Sequence, residues 1–378
     1  MKKGDYGRLL RNRGAHQIPL ASQTMFAELL QRAGDAEFDA NFDERGRFYQ
    51  TRSGAKAFWY YRRRFYGKEH NLYVGPVDDK TLSQRIERFQ DIIKPDFRER
   101  RQLVRQLLTS GLPRPDFTSA AVIEALWKAG FFRLRGVLVG TVAFQCYAGM
   151  LGVRLPSAQL RTEDADFALD FAIAHKVGDT MPSILNVLHS VDESFKPVPH
   201  QSDLTRVSRF KSGSGFLVEF LTSNRGSDDY QSRPADMPAL GGASAQPLRH
   251  LDFLIREPER SLLLYKGGIP VTVPAPERYA VHKVLLSSER KENPAKARKD
   301  VQQAETLIIV LRNERPYEMA EAWYEAWERG PRWREKMHAG LLRLSDEARK
   351  ALHDAAAQAN FYDEMGIKPG QMGLGEDY

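Results

Sequence analysis

"RTEDADFAL", Arg161–Leu169, places two aspartates two residues apart among apolar and small residues. In an extended chain, residues i and i+2 point to the same face, so Asp164 and Asp166 should leave one side of a strand together. Two like charges this close are unfavourable unless a cation lies between them. The stretch therefore predicts a strand whose paired carboxylates face a cation.

A turn from a strand into a helix precedes this pair. "GVLVG" (Gly136–Gly140) is typical of a short buried strand, and "TVAFQCYAGML" after it has helical spacing. The junction at Gly140 and Thr141 would present free backbone N–H groups to a phosphate. Glycine suits such a turn because a side chain would block the approach. Strand-Gly-helix junctions are common, so this junction indicates phosphate binding only in combination with the acidic strands that follow it.

A second acidic strand follows in "GSGFLVEFLTSN" (Gly213–Asn224), where Glu219 lies among apolar residues. A glutamate is costly to bury in such a strand unless it is paired or bound to a cation. If this strand neighbours the Asp-x-Asp strand, three carboxylates converge on a divalent metal. Mg²⁺ favours carboxylate and phosphate oxygens together, and Mn²⁺ is the alternative. Such ions can activate an attacking hydroxyl and stabilise a pyrophosphate leaving group.

This order of motifs resembles the nucleotidyltransferase fold of the DNA-polymerase-beta superfamily, with its hG[GS] turn, [DE]h[DE]h strand and later third acidic residue. "RTEDADFAL" is similar to the R-x-T-x-D-x-D signature of the AbiEii/MenT-type bacterial nucleotidyltransferases, although Thr162 here follows Arg161 directly. The resemblance implies that Asp164, Asp166 and Glu219 are catalytic metal ligands. It also implies an NTP-binding set consisting of Gly140, Thr141, Arg161 and Thr162.

The resemblance extends over roughly residues 117–313 and includes a helical part. "PAPERYAVHKVLLSSERKENPAKARKDVQQAETLI" (Pro274–Ile308) resembles helices that carry a lysine and then a Lys-Asp pair toward the nucleotide. By this resemblance, Lys283 and Arg290 neutralise the triphosphate. Lys299 and Asp300 orient the nucleotide or the helix that carries Lys283.

Positive charge is concentrated in the first third of the chain. Residues 1–115 contain 23 Lys and Arg against 14 Asp and Glu, whereas the whole chain has a net charge of +7. Such asymmetry favours contact with a polyanion, most often nucleic acid, although a solvated basic surface explains it equally well. "SGAKAFWYYRRRFYGKEHNLYVGP" (Ser53–Pro76) predicts an antiparallel hairpin. Either Arg62, Arg63 and Arg64 bind nucleic acid together with the neighbouring aromatic residues, or the aromatic residues of this small sheet pack on the following helix.

The predicted architecture is α+β. It consists of a basic N-terminal accessory domain with a hairpin and a helix (residues 1–115), a nucleotidyltransferase core with a mixed sheet (116–274) and a C-terminal helical domain (275–378). "RHLDFLI" (Arg249–Ile255) and "SLLLYKGGIPVTVP" (Ser261–Pro274) are predicted to be further strands, and Pro95 should bend a helix over residues 81–108.

Other functional classes are excluded or left open. A single cysteine, Cys146, excludes an internal disulfide framework and a cysteine-built zinc site. No apolar stretch approaches the roughly 18 residues of a membrane span, and the polar N-terminus predicts a cytoplasmic protein. We therefore expect a metal-dependent nucleotidyltransferase whose acceptor is RNA, another nucleic acid or a protein. The alternative is a weakly active or inactive protein of the same fold that acts as a nucleic-acid-binding or regulatory module. The sequence leaves open whether it belongs to a toxin–antitoxin pair.

Overall fold

Strands and helices are interspersed up to residue 273, and only helices follow among the described residues. The computed structural model describes residues 16–37, 46–53, 56–65, 68–160, 162–171, 180–200, 203–224, 233–290 and 292–375. The strands are β1 (His16–Gln17), β2 (Arg47–Ser53), β3 (Lys56–Phe65), β4 (Lys68–Pro76), β5 (Val137–Val139), β6 (Val153–Arg154), β7 (Asp164–Ala168), β8 (Lys196–Val198), β9 (Arg209–Lys211), β10 (Leu217–Ser223), β11 (Ala235–Asp236), β12 (Ser244–Leu248), β13 (Glu259–Leu263) and β14 (Ile269–Val273). The α-helices are α1 (Leu20–Glu37), α2 (Lys80–Arg88), α3 (Lys94–Thr109), α4 (Phe117–Lys128), α5 (Gly140–Met150), α6 (Ser157–Leu160), α7 (Ile184–His189), α8 (Leu251–Leu254), α9 (Pro276–Glu289), α10 (Pro294–Glu314), α11 (Pro316–Glu328), α12 (Pro331–Leu341), α13 (Asp346–Gln358) and α14 (Phe361–Met365).

The two acidic stretches form neighbouring strands at the centre of a mixed sheet. Its main path runs β11-β12-β10-β7-β5, and β9 pairs with the first half of β10 and with β8. β10 runs parallel to β7 and β12, whereas β5 runs antiparallel to β7. This arrangement confirms the predicted α+β class with a mixed sheet.

The acidic strands are held in place from their apolar side. Ala165 and Phe167 of β7 are buried, while the alternate residues Asp164 and Asp166 are half-buried on the other face. Phe167 packs against Phe131 and Phe220, with ring centroids 5.3 and 5.8 Å apart. The apolar residues thus fix the strands and leave the carboxylates on the opposite face, as the two-residue spacing predicted.

Helix α9 is fixed to the sheet through aromatic contacts with α5. The Tyr279 ring lies 6.0 Å from Phe144 and 5.2 Å from Tyr147, measured between centroids. The Tyr147 hydroxyl donates a hydrogen bond of 2.9 Å to the Pro274 carbonyl just before α9. These contacts hold the lysine-bearing helix beside the turn at Gly140.

The basic hairpin is part of a three-stranded antiparallel sheet. β3 pairs with both β2 and β4, which confirms the hairpin and adds a strand to it. A small cluster of Phe48, Tyr61, Ile86 and Phe89 joins this sheet to the following helices. A π-helical turn, Phe89–Ile93, separates α2 from α3, because Pro95 has no N–H for the Asp91 carbonyl.

The prediction of three separate domains stays a prediction. Residues of α1 and α3, such as Phe26, Leu29 and Leu107, belong to the same apolar cluster as the central sheet and the C-terminal helices. The small cluster beneath β2, β3 and β4 is distinct from it.

One predicted strand is wrong. Residues 251–254 form the short helix α8, not a strand, although β13 and β14 form as predicted. Leu251, Phe253 and Leu254 are all buried, and an apolar run this short does not distinguish a strand from a helical turn. Asp252 forms an ion pair with Arg329 and is absent from the lining of the cavity that contains the acidic strands. Among the described residues, none of the helices has the length and apolar character needed to cross a membrane.

Candidate active site

One cavity of about 510 Å³ brings together residues from six separate stretches of the sequence. Strands β7 and β10, the turn from β5 into α5, and helices α8, α9 and α10 all contribute to its lining. The predicted site residues that line it are Gly140, Thr141, Thr162, Asp164, Asp166, Glu219, Lys283, Arg290, Lys299 and Asp300. Arg161 lies outside the described residues.

The glycine turn directly touches the acidic strand. The antiparallel register places Val139 opposite Asp166, so Gly140 emerges beside that carboxylate. Gly140 has a φ of +69°, and a Cβ at this position would lie 2.4 Å from Oδ2 of Asp166. Both the backbone conformation and the close approach therefore require glycine. The Tyr279 hydroxyl, 3.1 Å from the Gly140 carbonyl oxygen, helps to fix the turn.

Two of the three carboxylates hold protons more tightly than usual. Parallel pairing of β7 with β10 places Asp166 opposite Glu219. Burial, followed by the charges of Asp164 and Glu219, raises the pKa of Asp166 to about 7. Burial also raises the pKa of Glu219, against the opposing charge of Arg209, whose Nε lies 3.9 Å from Glu219 Oε1. This edge of the cavity therefore carries negative charge that the protein only partly compensates.

The opposite wall of the cavity is cationic and is organised by one aspartate. Asp300, only 1% exposed, accepts a hydrogen bond of 2.7 Å from Lys283 Nζ. Its other carboxylate oxygen lies 3.0 Å from Arg290 Nη1. Lys299 precedes Asp300 on α10, and burial and the charge of Lys283 lower the pKa of Lys299. The expectation that Asp300 orients the helix carrying Lys283 fits this geometry.

A carboxylate edge, a glycine turn and a cationic wall thus face one another. A family model described as nucleotidyltransferase matches residues 118–328, more than half of the chain. The chain belongs to the nucleotidyltransferase family. No curated protein matches the sequence.

A solved structure was also found: a crystal structure of an antigenic nucleotidyltransferase-like protein from Paracoccidioides brasiliensis. The two proteins share 13% sequence identity, and the matched region covers 60% of this nucleotidyltransferase and 95% of the Paracoccidioides brasiliensis chain, with a TM-score of 0.29. At that score the likeness carries no argument about the site.

The cavity of this nucleotidyltransferase is also lined by residues that the sequence did not single out, among them Lys296, Tyr279 and His282. Lys296 lies one helical turn before Lys299 and acts electrostatically on both Asp166 and Glu219. Tyr279 and His282 come from α9, and burial lowers the pKa of His282 well below its usual value. The spacing of Tyr279, Lys283 and Leu286 on one face of α9 was the available signal for this wall.

The arginines of the hairpin do not line the cavity. The Arg62 guanidinium lies 4.7 Å from the centroid of the Tyr49 ring, and its Nε donates a hydrogen bond of 3.2 Å to Asn71 Oδ1. Arg63 and Arg64 occupy β3, but their side chains lie outside the described part of the structure. The contact of Tyr61 with Phe89 in the following helical segment, with ring centroids 6.2 Å apart, fits the packing alternative. A role for the three arginines in nucleic-acid binding stays a prediction.

The carboxylates fit a Mg²⁺ or Mn²⁺ ion by their chemistry. Within the described ranges, no three His, Cys, Asp or Glu side chains form a group that could hold a metal ion. Mg²⁺, however, commonly binds through one or two carboxylates together with substrate phosphates and water. Asp164 and Asp166 supply such oxygens beside the turn at Gly140, and the raised pKa of Asp166 marks negative charge that a cation would compensate. Glu219 as a third ligand stays a prediction.

Proposed function

We propose that this nucleotidyltransferase moves a nucleoside monophosphate from an NTP to an acceptor hydroxyl and releases pyrophosphate, with Mg²⁺ or Mn²⁺ as cofactor. The observation that carries this proposal is the contact between the turn at Gly140 and Asp166. A phosphate held by the backbone N–H groups of this turn would lie beside the paired carboxylates. Family membership supports nucleotidyl transfer in general.

The carboxylate residues would act at the phosphorus atom where the transfer takes place. The acceptor oxygen forms a bond to the α-phosphorus, the bond from that phosphorus to the pyrophosphate oxygen breaks, and the hydroxyl proton passes to a base. Glu219, with its raised pKa, is suited to receive that proton. Asp164 and Asp166 would hold the divalent ion, which when bound would stabilise the charge on the α-phosphate and on the pyrophosphate leaving group. Thr162 donates a hydrogen bond to Asp164 Oδ1 and so orients that carboxylate.

The cationic wall would bind the triphosphate. Lys283 and Arg290 both contact Asp300 and line the cavity, so their positions are set before the nucleotide arrives. Gly140 and Thr141 hold the phosphates from the opposite side. Preorganised charges stabilise a developing negative charge more effectively than charges that must first move.

A nucleic-acid acceptor, RNA or tRNA in the first instance, is the substrate that the charge distribution favours, with a protein side chain as the second choice. Residues 1–115 carry the excess of positive charge in the sequence. The relationship to the AbiEii/MenT-type enzymes, a toxin–antitoxin role and a cytoplasmic location stay predictions.

The alternative function is a weakly active or inactive nucleotidyltransferase-fold protein that binds nucleic acid or regulates. Two observations favour it. Among the described residues no preformed group of three metal ligands exists, and Glu219 has Arg209 as a neighbouring cation. A family member can keep its fold after its metal chemistry has weakened.

One experiment separates the two functions. The protein is incubated with each labelled NTP in turn, Mg²⁺ or Mn²⁺, and either total RNA or total protein, with the Asp164→Asn variant as control. Transfer of label by the wild type but not by the variant supports the enzyme, and the labelled product identifies the acceptor. If the wild type binds NTP or RNA but labels nothing, the alternative function holds.

A further inference from the structure

A second cavity, of about 700 Å³, lies on the other side of α10 from the candidate active site. Residues Pro294, Ala297, Arg298 and Val301 of α10 line it, together with residues of the turn between α12 and α13. Residues 296, 299 and 300 of the same helix line the active-site cavity instead. Because positions three and four apart share a helix face, the first two turns of α10 form the wall between the two cavities.

The two cavities meet at Arg290, which lines both of them. Arg290 lies just beyond the end of α9, and one of its guanidinium nitrogens contacts Asp300 inside the active site. Its side chain is 33% exposed, so the guanidinium is open to solvent as well as paired. An elongated ligand lying in the second cavity could therefore pass the start of α10 at Arg290 and enter the active site, a distance of about one helix diameter, or about 10 Å.

Three guanidinium groups give the second cavity its charge. Besides Arg290, it is lined by Arg298 and Arg343, both exposed. Arg343 donates a hydrogen bond to the Ser287 carbonyl, which fixes its guanidinium at the rim. The lining contains one carboxylate, Glu305, which is 5% exposed and accepts a hydrogen bond of 2.6 Å from the Ser345 backbone N–H. The open surface of the cavity is therefore positively charged.

The rest of the lining is suited to an elongated anion with apolar parts. Between the arginines lie Pro294, Ala297, Val301 and Leu344, which give the groove an apolar floor. Guanidinium groups bind phosphate oxygens in paired hydrogen bonds, and single-stranded nucleic acids combine such phosphate contacts with apolar contacts to sugars and bases.

We propose that this arginine groove, formed by Arg290, Arg298 and Arg343, binds the phosphodiester backbone of a single-stranded RNA acceptor and leads it to the active site. The acceptor role rests on the proposed nucleotidyl transfer, whereas the binding itself does not. The groove lies among the C-terminal helices, far along the chain from the basic hairpin, so it is a nucleic-acid site separate from residues 62–64.

The test compares Arg298 with a matched arginine outside the groove. Arg298→Ala and Arg298→Glu are paired with Arg332→Ala and Arg332→Glu, since Arg332 is likewise exposed and lies near the start of α12. Affinity for a short fluorescent single-stranded RNA is measured over a salt series without NTP. Arg298→Ala should weaken binding about two- to five-fold and lower the log–log salt slope by about 0.7, the value for one phosphate contact to a single strand. Arg298→Glu should weaken binding further, and both Arg332 variants should match the wild type.

A second variant and two competitors keep the test decisive. Arg343→Ala combined with Arg298→Ala should lower the slope by about 1.4 in total. Unlabelled single-stranded DNA of the same sequence should also compete, because the proposed contacts are to phosphates and to apolar parts of sugars and bases, whereas a poly-glutamate peptide should compete poorly. If Arg298→Glu binds RNA as tightly as Arg332→Glu, the groove is not an RNA site. The same conclusion follows if poly-glutamate displaces the RNA and the Arg298 variants lose affinity for the peptide but not for RNA.

The same variants separate this inference from the proposed function. RNA binding is read without NTP, so it stands or fails independently of catalysis. If Arg298 variants bind RNA poorly but the wild type transfers no label to any acceptor, the groove is retained and nucleotidyl transfer is rejected. If label passes to protein alone and the RNA affinity is the same in all variants, transfer is retained and the groove is rejected.

Discussion

Replacing Asp166 by asparagine should stabilise the metal-free protein, and only above mildly acidic pH. The pKa of the Asp166 carboxyl is raised from 3.8 to about 7, through burial first and then the charges of Asp164 and Glu219. In the unfolded chain the carboxyl returns to its ordinary pKa, so the folded chain binds the proton more tightly. Its contribution to stability is therefore fully present below about pH 4 and is lost as the pH rises toward about 7.

The size of the effect follows from the shift. Each pKa unit corresponds to 1.36 kcal/mol, so the wild type can lose at most about 4 kcal/mol of stability as the pH rises from below about 4 to above about 7. Asp166 lines an open cavity and its side chain is half-buried, so water screens part of the repulsion and we expect about 2 kcal/mol. Asparagine keeps the shape and carries no charge, so the variant should escape this loss.

The measurement is urea unfolding of both proteins in a chelator, from about pH 5 to about pH 8.5. The unfolding free energy of Asp166→Asn should exceed that of the wild type by an amount that grows with rising pH and levels off above about pH 7. Asp363→Asn, on the exposed face of α14, removes one negative charge elsewhere and should change stability by less than about 0.5 kcal/mol.

Adding Mg²⁺ with NTP should reverse the order of stability, since ligand binding stabilises only a protein that can bind. A pH-independent gap, or an Asp166→Asn variant less stable than the wild type at all pH values, would refute the reasoning about uncompensated charge. Asp164→Asn and Asp166→Asn should both abolish nucleotidyl transfer, and unchanged turnover in either would remove that residue from the proposed chemistry.

Four further predictions test individual parts of the site. Gly140→Ala should lower NTP affinity at least ten-fold and destabilise the protein, because the new Cβ would lie 2.4 Å from the Asp166 carboxylate; ordinary NTP binding by calorimetry would contradict this. Glu219→Gln should cut turnover steeply while NTP affinity stays within a few-fold, and the reverse pattern would remove Glu219 from the acceptor side. Asp300→Asn should cost about 3 kcal/mol or more, since it leaves Lys283 buried without its 2.7 Å partner, and an unchanged melting temperature would show that the pair is dispensable. Alanine at all three of residues 62–64 should weaken RNA binding at every sequence and flatten the salt slope by roughly one per contact, without affecting NTP affinity; equal slopes would show that the hairpin surface is only solvated.

The sequence predicted the components of the site because their spacing follows backbone geometry. Asp164 and Asp166 had to share a strand face, and a glycine suited a strand–helix turn that a phosphate approaches closely. The placement of Lys283 and Asp300, in contrast, came from family resemblance. Nothing local to α9 or α10 indicates that the two helices pack so that Lys283 and Asp300 meet at 2.7 Å.

Short segments with weak periodicity were the least predictable. Residues 251–254 form a helix although their apolar run was equally consistent with a strand, since burial of the run alone stabilises either form. Lys296 and His282 were missed for a related reason. A lysine in a charged helix and a histidine beside it are indistinguishable in sequence from solvated residues until the facing wall is known.

The sequence by itself determined which residues could carry the chemistry: two carboxylates on one strand face, a third within an apolar strand, and a glycine at a strand–helix junction. Those features depend on contacts within a few residues, where backbone geometry is nearly fixed. Only the tertiary structure decided that Glu219 lies opposite Asp166, that Asp300 joins Lys283 to Arg290, and that α10 has an arginine groove on its other side. Those outcomes depend on strand register and helix packing, which are set by apolar burial across the whole core and not by any single stretch.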